Sequence, residues 1–179
     1  MADKALPPVF TIGHSTRTID EFVELLRVGE VREVVDIRSI PRSRTNPQYN
    51  LDRLGEELAA FQIGHSHIAA LGGLRKAEVE IAPETNGMWR NRSFHNYADY
   101  ALTAPFAQGL EELLALSAKR RCAIMCAEAV WWRCHRRIVA DYLLIRGREV
   151  LHLLGPHRAD PASLTPGALA ADGKVTYPG

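Results

Sequence analysis

The stretch Cys122–Gly147, CAIMCAEAVWWRCHRRIVADYLLIRG, constrains the fold more than any other. Cys122-Ala123-Ile124-Met125-Cys126 is a short apolar run with the length and bounds of a buried strand. The chain then turns through Ala127-Glu128-Ala129-Val130 and enters a helical pattern with Ile138, Tyr142 and Ile145 on one face. Gly147 suits the left-handed residue past a helix end. Two cysteines, a glutamate, a histidine and several arginines crowd this strand-to-helix junction. In an α/β protein such a junction, at the carboxyl end of a strand, is where ligands usually bind.

The same alternation runs along the chain. Val9–Ile12, Val34–Ile37, His65–Ala70 and Val150–Leu154 read as further strands. Thr18 and Glu21 form a capping box ahead of Phe22, Leu25 and Leu26, a second helix carries Leu51, Leu54, Leu58 and Phe61, and Phe94–Thr103 reads as a short third. Pro105 opens a helix with Phe106, Leu110, Leu113 and Leu114 inward. The pattern predicts an α/β fold: one three-layer domain with a mostly parallel five-stranded sheet and helices on both faces. Residues 1–8 read as a leader, 9–154 as the core, and 155–179 as an irregular tail. A long excursion over 74–93 crosses the strand ends, where functional loops concentrate.

At 179 residues the chain is long enough to bury a core unaided, and its 46% hydrophobic and 24% charged content is that of a soluble globular protein. The net charge of +1 excludes bulk attraction to polyanions. No apolar run reaches membrane-span length, and the N-terminus lacks a secretion signal. Three cysteines without a paired framework fit a reducing cytoplasm.

With parallel strands, one sheet edge presents His14, Ser15, Asp36, Arg38, Gly72, Gly73, Cys126, Glu128 and His152. Loops there add Ser43 and a basic rim of Arg42, Arg44, Arg75, Arg90, Arg92, Arg133 and Arg136. The rim calls for an anionic ligand. Cys126 ends its strand and Cys134 lies near the next helix start, beside His135 and Arg136, where a thiolate is favoured. Glu128 and His135 are the proton-moving candidates. Cys122, mid-strand, reads as core. Trp131 and Trp132 could stack on a base but more often only pack. Tyr97 and Tyr100 read as half core, half rim.

Sharper motifs fail on spacing. Cys126 to Arg133 is one residue too long for a protein-phosphatase loop, and two tryptophans fill a turn that needs small residues. There is no C-x-x-C metal pair and no glycine-rich phosphate or dinucleotide fingerprint, so neither a metal nor a cofactor is called for.

Thr11-Ile12-Gly13-His14-Ser15, Asp36-Ile37-Arg38 with Pro41 and Ser43, Leu71-Gly72-Gly73, Tyr97-Ala98-Asp99-Tyr100, and Cys126-Ala127-Glu128 followed by Cys134-His135-Arg136 resemble the domain of unknown function 488 family over roughly 9–154. The resemblance implies a bacterial or archaeal cytosolic α/β domain without an established activity. The turn 129–133 departs from the family's shorter one.

The reading that follows is an enzyme, a thiol-dependent hydrolase or transferase acting on a small anionic substrate such as a nucleotide or modified base. Cys126 or Cys134 is the nucleophile or redox thiol, with Glu128 and His135 moving protons. Arg38, Arg42 and Arg136 hold the anion, and His14, Ser15, Asp36, Ser43, Gly72, Gly73 and Tyr97 complete the site. The alternatives are a nucleic-acid-binding or regulatory module using the basic rim, and a purely structural polar network.

Overall fold

The computed structural model describes residues 5–179, so the expected leader lies partly outside the described residues. Five strands are parallel: β1 (Val9–Gly13), β2 (Glu33–Asp36), β3 (Gly64–His67), β4 (Cys122–Cys126) and β5 (Val150–Gly155). A sixth, β6 (Arg158–Pro161), returns antiparallel along β5, giving the order β3-β2-β4-β1-β5-β6. The sheet thus has one strand more than the pattern predicts.

Helices α1 (Ile19–Val28) and α2 (Leu51–Ala59) cover one face, and α3 (Arg92–Tyr100), α4 (Ala104–Lys119) and α5 (Arg136–Ile145) the other. Strand β4 shows why the core splits in two. Side chains alternate across a strand, so Cys122 and Ile124 join Phe106, Ile138 and Tyr142 on one face. Ala123 and Met125 join Phe22, Leu26 and Leu54 on the other.

The local signals explain most boundaries. Glu21 N donates to Thr18 Oγ1 at 3.1 Å and Thr18 N donates to Glu21 Oε1 at 2.9 Å, so the capping box starts α1. Gly147 at φ 80° ends α5, a conformation that costs glycine nothing. Strand β3 is shorter than expected because Ala69–Leu71 turns into a 3-10 helix. Its sequence, GHSH, is polar and half-buried, as befits a blunted sheet edge.

The expected irregular tail is the main difference. After β6 it forms a second, two-stranded sheet of β7 (Leu169–Ala171) and β8 (Lys174–Thr176). The signals for it are too short to read as strands: three residues each, with a turn at Asp172-Gly173. Long-range polar bonds hold this tail down. Tyr177 is fully buried, its hydroxyl donates to Asp141 Oδ2 at 2.7 Å, and its backbone N–H donates to Asn86 Oδ1 at 2.9 Å. Thr165 N donates to the other Asp141 oxygen at 2.9 Å. Burial raises the Asp141 pKa despite these bonds.

Tyr177→Phe removes a donor from a buried carboxylate and is expected to cost about 1–3 kcal/mol. The check is urea unfolding, where the midpoint should fall with the slope unchanged. An unmoved midpoint would show that the tail is not clamped.

Candidate functional site

The topology sets the place. From β1 the chain crosses through α1 to β2 on one side, and from β4 it crosses through α5 to β5 on the other. From the neighbouring β2 the chain crosses through α2 to β3, away from the β4 connection, so the carboxyl ends of β2 and β4 open a crevice, the usual ligand position in such sheets. Gly13 lets the Glu128 backbone approach β1, since a Cβ there would collide with the Glu128 carbonyl. Gly73 likewise leaves room for the His135 ring.

The crevice holds a cavity of about 450 Å³ lined by His14, Arg38, Arg42, Ser43, Gly73, Cys126, Glu128, Arg133, Cys134 and His135, with Ile40, Leu74 and Phe94 as an apolar side. Nine of the fourteen residues singled out from sequence therefore meet there. Ser15, Asp36, Gly72, Tyr97 and Arg136 do not line it. Tyr97 is fully buried, and its hydroxyl donates to Leu71 O at 2.8 Å. Asp36 lies beneath the rim, taking Arg38 Nε at 2.9 Å and Arg38 Nη2 at 2.7 Å. Burial pushes the Asp36 carboxyl up, but nearby His65 and the bonds and charge of Arg38 outweigh it and hold it below its ordinary value.

Arg38 also donates from Nη2 to Tyr49 O and from Nη1 to His14 Nε2 at 3.3 Å. Of its five N–H hydrogens, one on Nη1 has no protein partner. A guanidinium only donates, so His14 Nε2 is an acceptor and the ring proton sits on Nδ1, bonded to Ser15 O at 2.8 Å. Burial first, then the Arg38 charge against the Ser15 bond, lowers the His14 pKa. Its ring stacks on Tyr49 at 4.3 Å.

Arg136 departs most from expectation. It is 0% exposed, so it holds no ligand in the cavity. It lies under the cysteines, donating from Nε to Cys126 Sγ at 3.0 Å, from Nη1 to Thr11 Oγ1 at 3.1 Å and from Nη2 to Glu128 O at 2.7 Å. None of these partners is a carboxylate. Burial pulls its pKa down to about 9, which still leaves it charged at neutrality. Thr11 Oγ1, which accepts from Arg136, also shares a buried hydrogen bond of 2.6 Å with His152 Nδ1. His152 is thus fixed in mid-strand rather than at the sheet edge, and burial followed by the Arg136 charge pushes its pKa down to about 4. Trp131 stacks on the same ring at 4.4 Å.

The structure brings the sulfurs of Cys126 and Cys134, eight residues apart in sequence, into direct contact, while Cys122 is a separate free thiol. The sequence carries no paired framework that foretells this contact. Cys122 is core as expected, and burial pushes its thiol up to about 12. Cys134 Sγ lies 3.4 Å from His135 Nδ1 and accepts the Arg136 backbone N–H at 3.4 Å. His135 Nε2 lies 2.7 Å from the Ile37 carbonyl, which only accepts. The ring proton is therefore on Nε2, and Nδ1 turns a lone pair to Cys134. Burial pushes the His135 pKa down to about 4.

The rest of the expected rim disperses. Arg75 bonds Gly72 O and Ala69 O and lies over the Tyr100 ring, away from the cavity. Arg44, Arg90 and Arg92 are exposed outside it. Among the described residues, no group of three or more His, Cys, Asp or Glu is placed to hold a metal, and no helix is long and apolar enough to cross a membrane. Residues that sequence alone did not single out are Thr11, which carries the contact from Arg136 to His152, and Ser39, Ile40, Leu74 and Phe94 in the cavity wall. Thr11 sits inside an apolar strand and reads as filler.

A doubly covered, mostly parallel sheet with a sulfur, imidazole and guanidinium cluster at its strand-crossover crevice is the class that fold and site define. The family model for the domain of unknown function DUF488 matches residues 18–143, and the chain belongs to that family. No curated protein and no solved structure matches it.

His135 and His152 set a pH dependence. In the unfolded chain both take up protons below about 6.5, whereas in the fold they resist until about 4. Their contribution is complete above pH 6.5 and is lost as pH falls from 6.5 toward 4, by about 1.4 kcal/mol per unit for each histidine. Urea unfolding at stepped pH checks this, and His152→Gln should flatten the slope.

Proposed function

We propose that the chain is a thiol-dependent enzyme acting on a small anionic substrate in the cavity, with Cys126 as its nucleophile once the pair is reduced. One observation carries this reading: the buried Arg136 guanidinium has no bonded carboxylate and aims Nε at Cys126 Sγ. The Glu128 carboxylate acts on this buried cation only through its charge, and a Cys126 thiolate supplies a counter-charge in direct contact. The same contact favours the charged sulfur, which is the reactive form. Cys134 faces the His135 lone pair instead, which suits a protonated thiol. The two cysteines therefore have different tasks.

Arg42 and Arg133 are exposed on the cavity wall, and with the spare Arg38 hydrogen they suit an anionic group such as phosphate or carboxylate. Phe94, Leu74 and Ile40 offer an apolar side for the rest of the molecule, a shape compatible with a nucleotide or modified base. Glu128, in the exposed loop, is the proton carrier for the leaving group. A reducing cytoplasm would keep the pair ready. Trp132, 45% exposed beside Arg133, favours the nucleic-acid alternative, whereas the concave cavity favours a small ligand.

Alkylation of the reduced protein tests the reading. Cys126 should react with iodoacetamide faster than Cys134 and far faster than Cys122 at neutral pH, and inorganic phosphate should protect it. Arg42→Ala, at an exposed position, should weaken that protection about tenfold, the loss of one charged hydrogen bond. If Cys126 reacts no faster than Cys122 and phosphate gives no protection, the nucleophile assignment fails.

A further inference from the structure

Resting on the proposed Cys126 nucleophile, we infer that Cys126 and Cys134 form a catalytic dithiol that exchanges with a small anionic disulfide bound against Arg42 and Arg133. The two sulfurs lie in direct contact, placed for that exchange. Each sulfur has its own neighbour: Arg136 Nε at Cys126 and His135 Nδ1 at Cys134. No carboxylate bonds Arg136, and a reduced, ionised Cys126 adds a counter-charge in direct contact to the more distant one of Glu128. The guanidinium favours Cys126 as the thiolate, the attacking form in disulfide exchange. A structural disulfide would have no use for a buried cation against one sulfur. Both cysteines line the cavity in which the ligand would sit.

The step balances as two exchanges. The Cys126 thiolate attacks one sulfur of R–S–S–R, the S–S bond breaks, and RS⁻ leaves with Cys126 held as the mixed disulfide. The Cys134 thiol then attacks Cys126 Sγ, its proton passing by way of His135 Nδ1 to the second departing RS⁻. The dithiol is oxidised by two electrons to the Cys126–Cys134 disulfide, and R–S–S–R is reduced to RS⁻ and RSH. A small thiol reductant such as dithiothreitol returns the pair to the dithiol and closes the cycle.

Single-turnover mixing of the fully reduced chain with oxidised glutathione, quenched by acid and read by mass spectrometry, tests this. The wild type should reach the intramolecular disulfide and release two glutathione molecules, with Cys122 untouched. Cys134→Ser should stop at glutathionylated Cys126, and Cys126→Ser should react no faster than an ordinary thiol. Circular dichroism of both variants confirms that they fold. His135→Asn should slow the second exchange and leave the first unchanged, a split that a merely structural histidine would not produce. Oxidised glutathione should react at least tenfold faster than the uncharged 2-hydroxyethyl disulfide. Persistence of the mixed disulfide in wild type, or a wild-type rate equal to that of free glutathione thiol, would overturn the proposal. Equal rates with the charged and uncharged disulfides would overturn the choice of an anionic substrate. Fast, phosphate-protected alkylation of Cys126 combined with failure here would remove the dithiol exchange and leave the nucleophile standing.

Discussion

A guanidinium sealed from solvent with sulfur as its nearest soft partner governs the rest of the site. Arg136 is the largest fully buried side chain, and its donors fix three different segments: Cys126 at the end of β4, the Glu128 carbonyl in the turn, and Thr11 in β1. Through Thr11 it reaches His152 in β5, so one side chain links three adjacent strands. Such a charge is tolerated in an interior only when its donors are met and a counter-charge is within reach. Each of the three guanidinium nitrogens has a partner, and the Glu128 carboxylate acts on the charge from a distance.

Sheet topology explains why these groups meet. The connections from β2 and β4 leave away from each other, so the loops after them separate and the space between stays open. The first loop brings Arg38, bonded to His14 from the end of β1, and the second brings both cysteines and His135. Ile37, just past β2, ties the two halves, since its carbonyl orients the His135 ring. The cavity is a consequence of strand order before it is a consequence of side chains.

The elements were legible in sequence where periodicity was long or capping was explicit. Thr18 with Glu21, Pro105 and Gly147 each marked a helix end that the structure has. The tail was not legible, because strands of three residues carry no measurable alternation and Tyr177 is anchored by residues far away in sequence. In the site, residue types pointed to the right edge but not to each role. Arg136 reads as rim from its neighbours, and only the fold shows that α5 turns it inward. The contact between Cys126 and Cys134 and the tautomers of His14 and His135 depend on the placement of sulfurs, carbonyls and a guanidinium that no motif spells out.

The most direct measurement is an NMR pH titration of the Cys126 Cβ in the reduced, isotope-labelled protein, followed in wild type and in Arg136→Lys. A cation against the sulfur predicts a wild-type midpoint well below the free-thiol value of about 8.5, shifted upward when the forked donor is replaced by a point charge. A wild-type midpoint at or above the free-thiol value would contradict it, since the buried guanidinium would then have no thiolate to answer it.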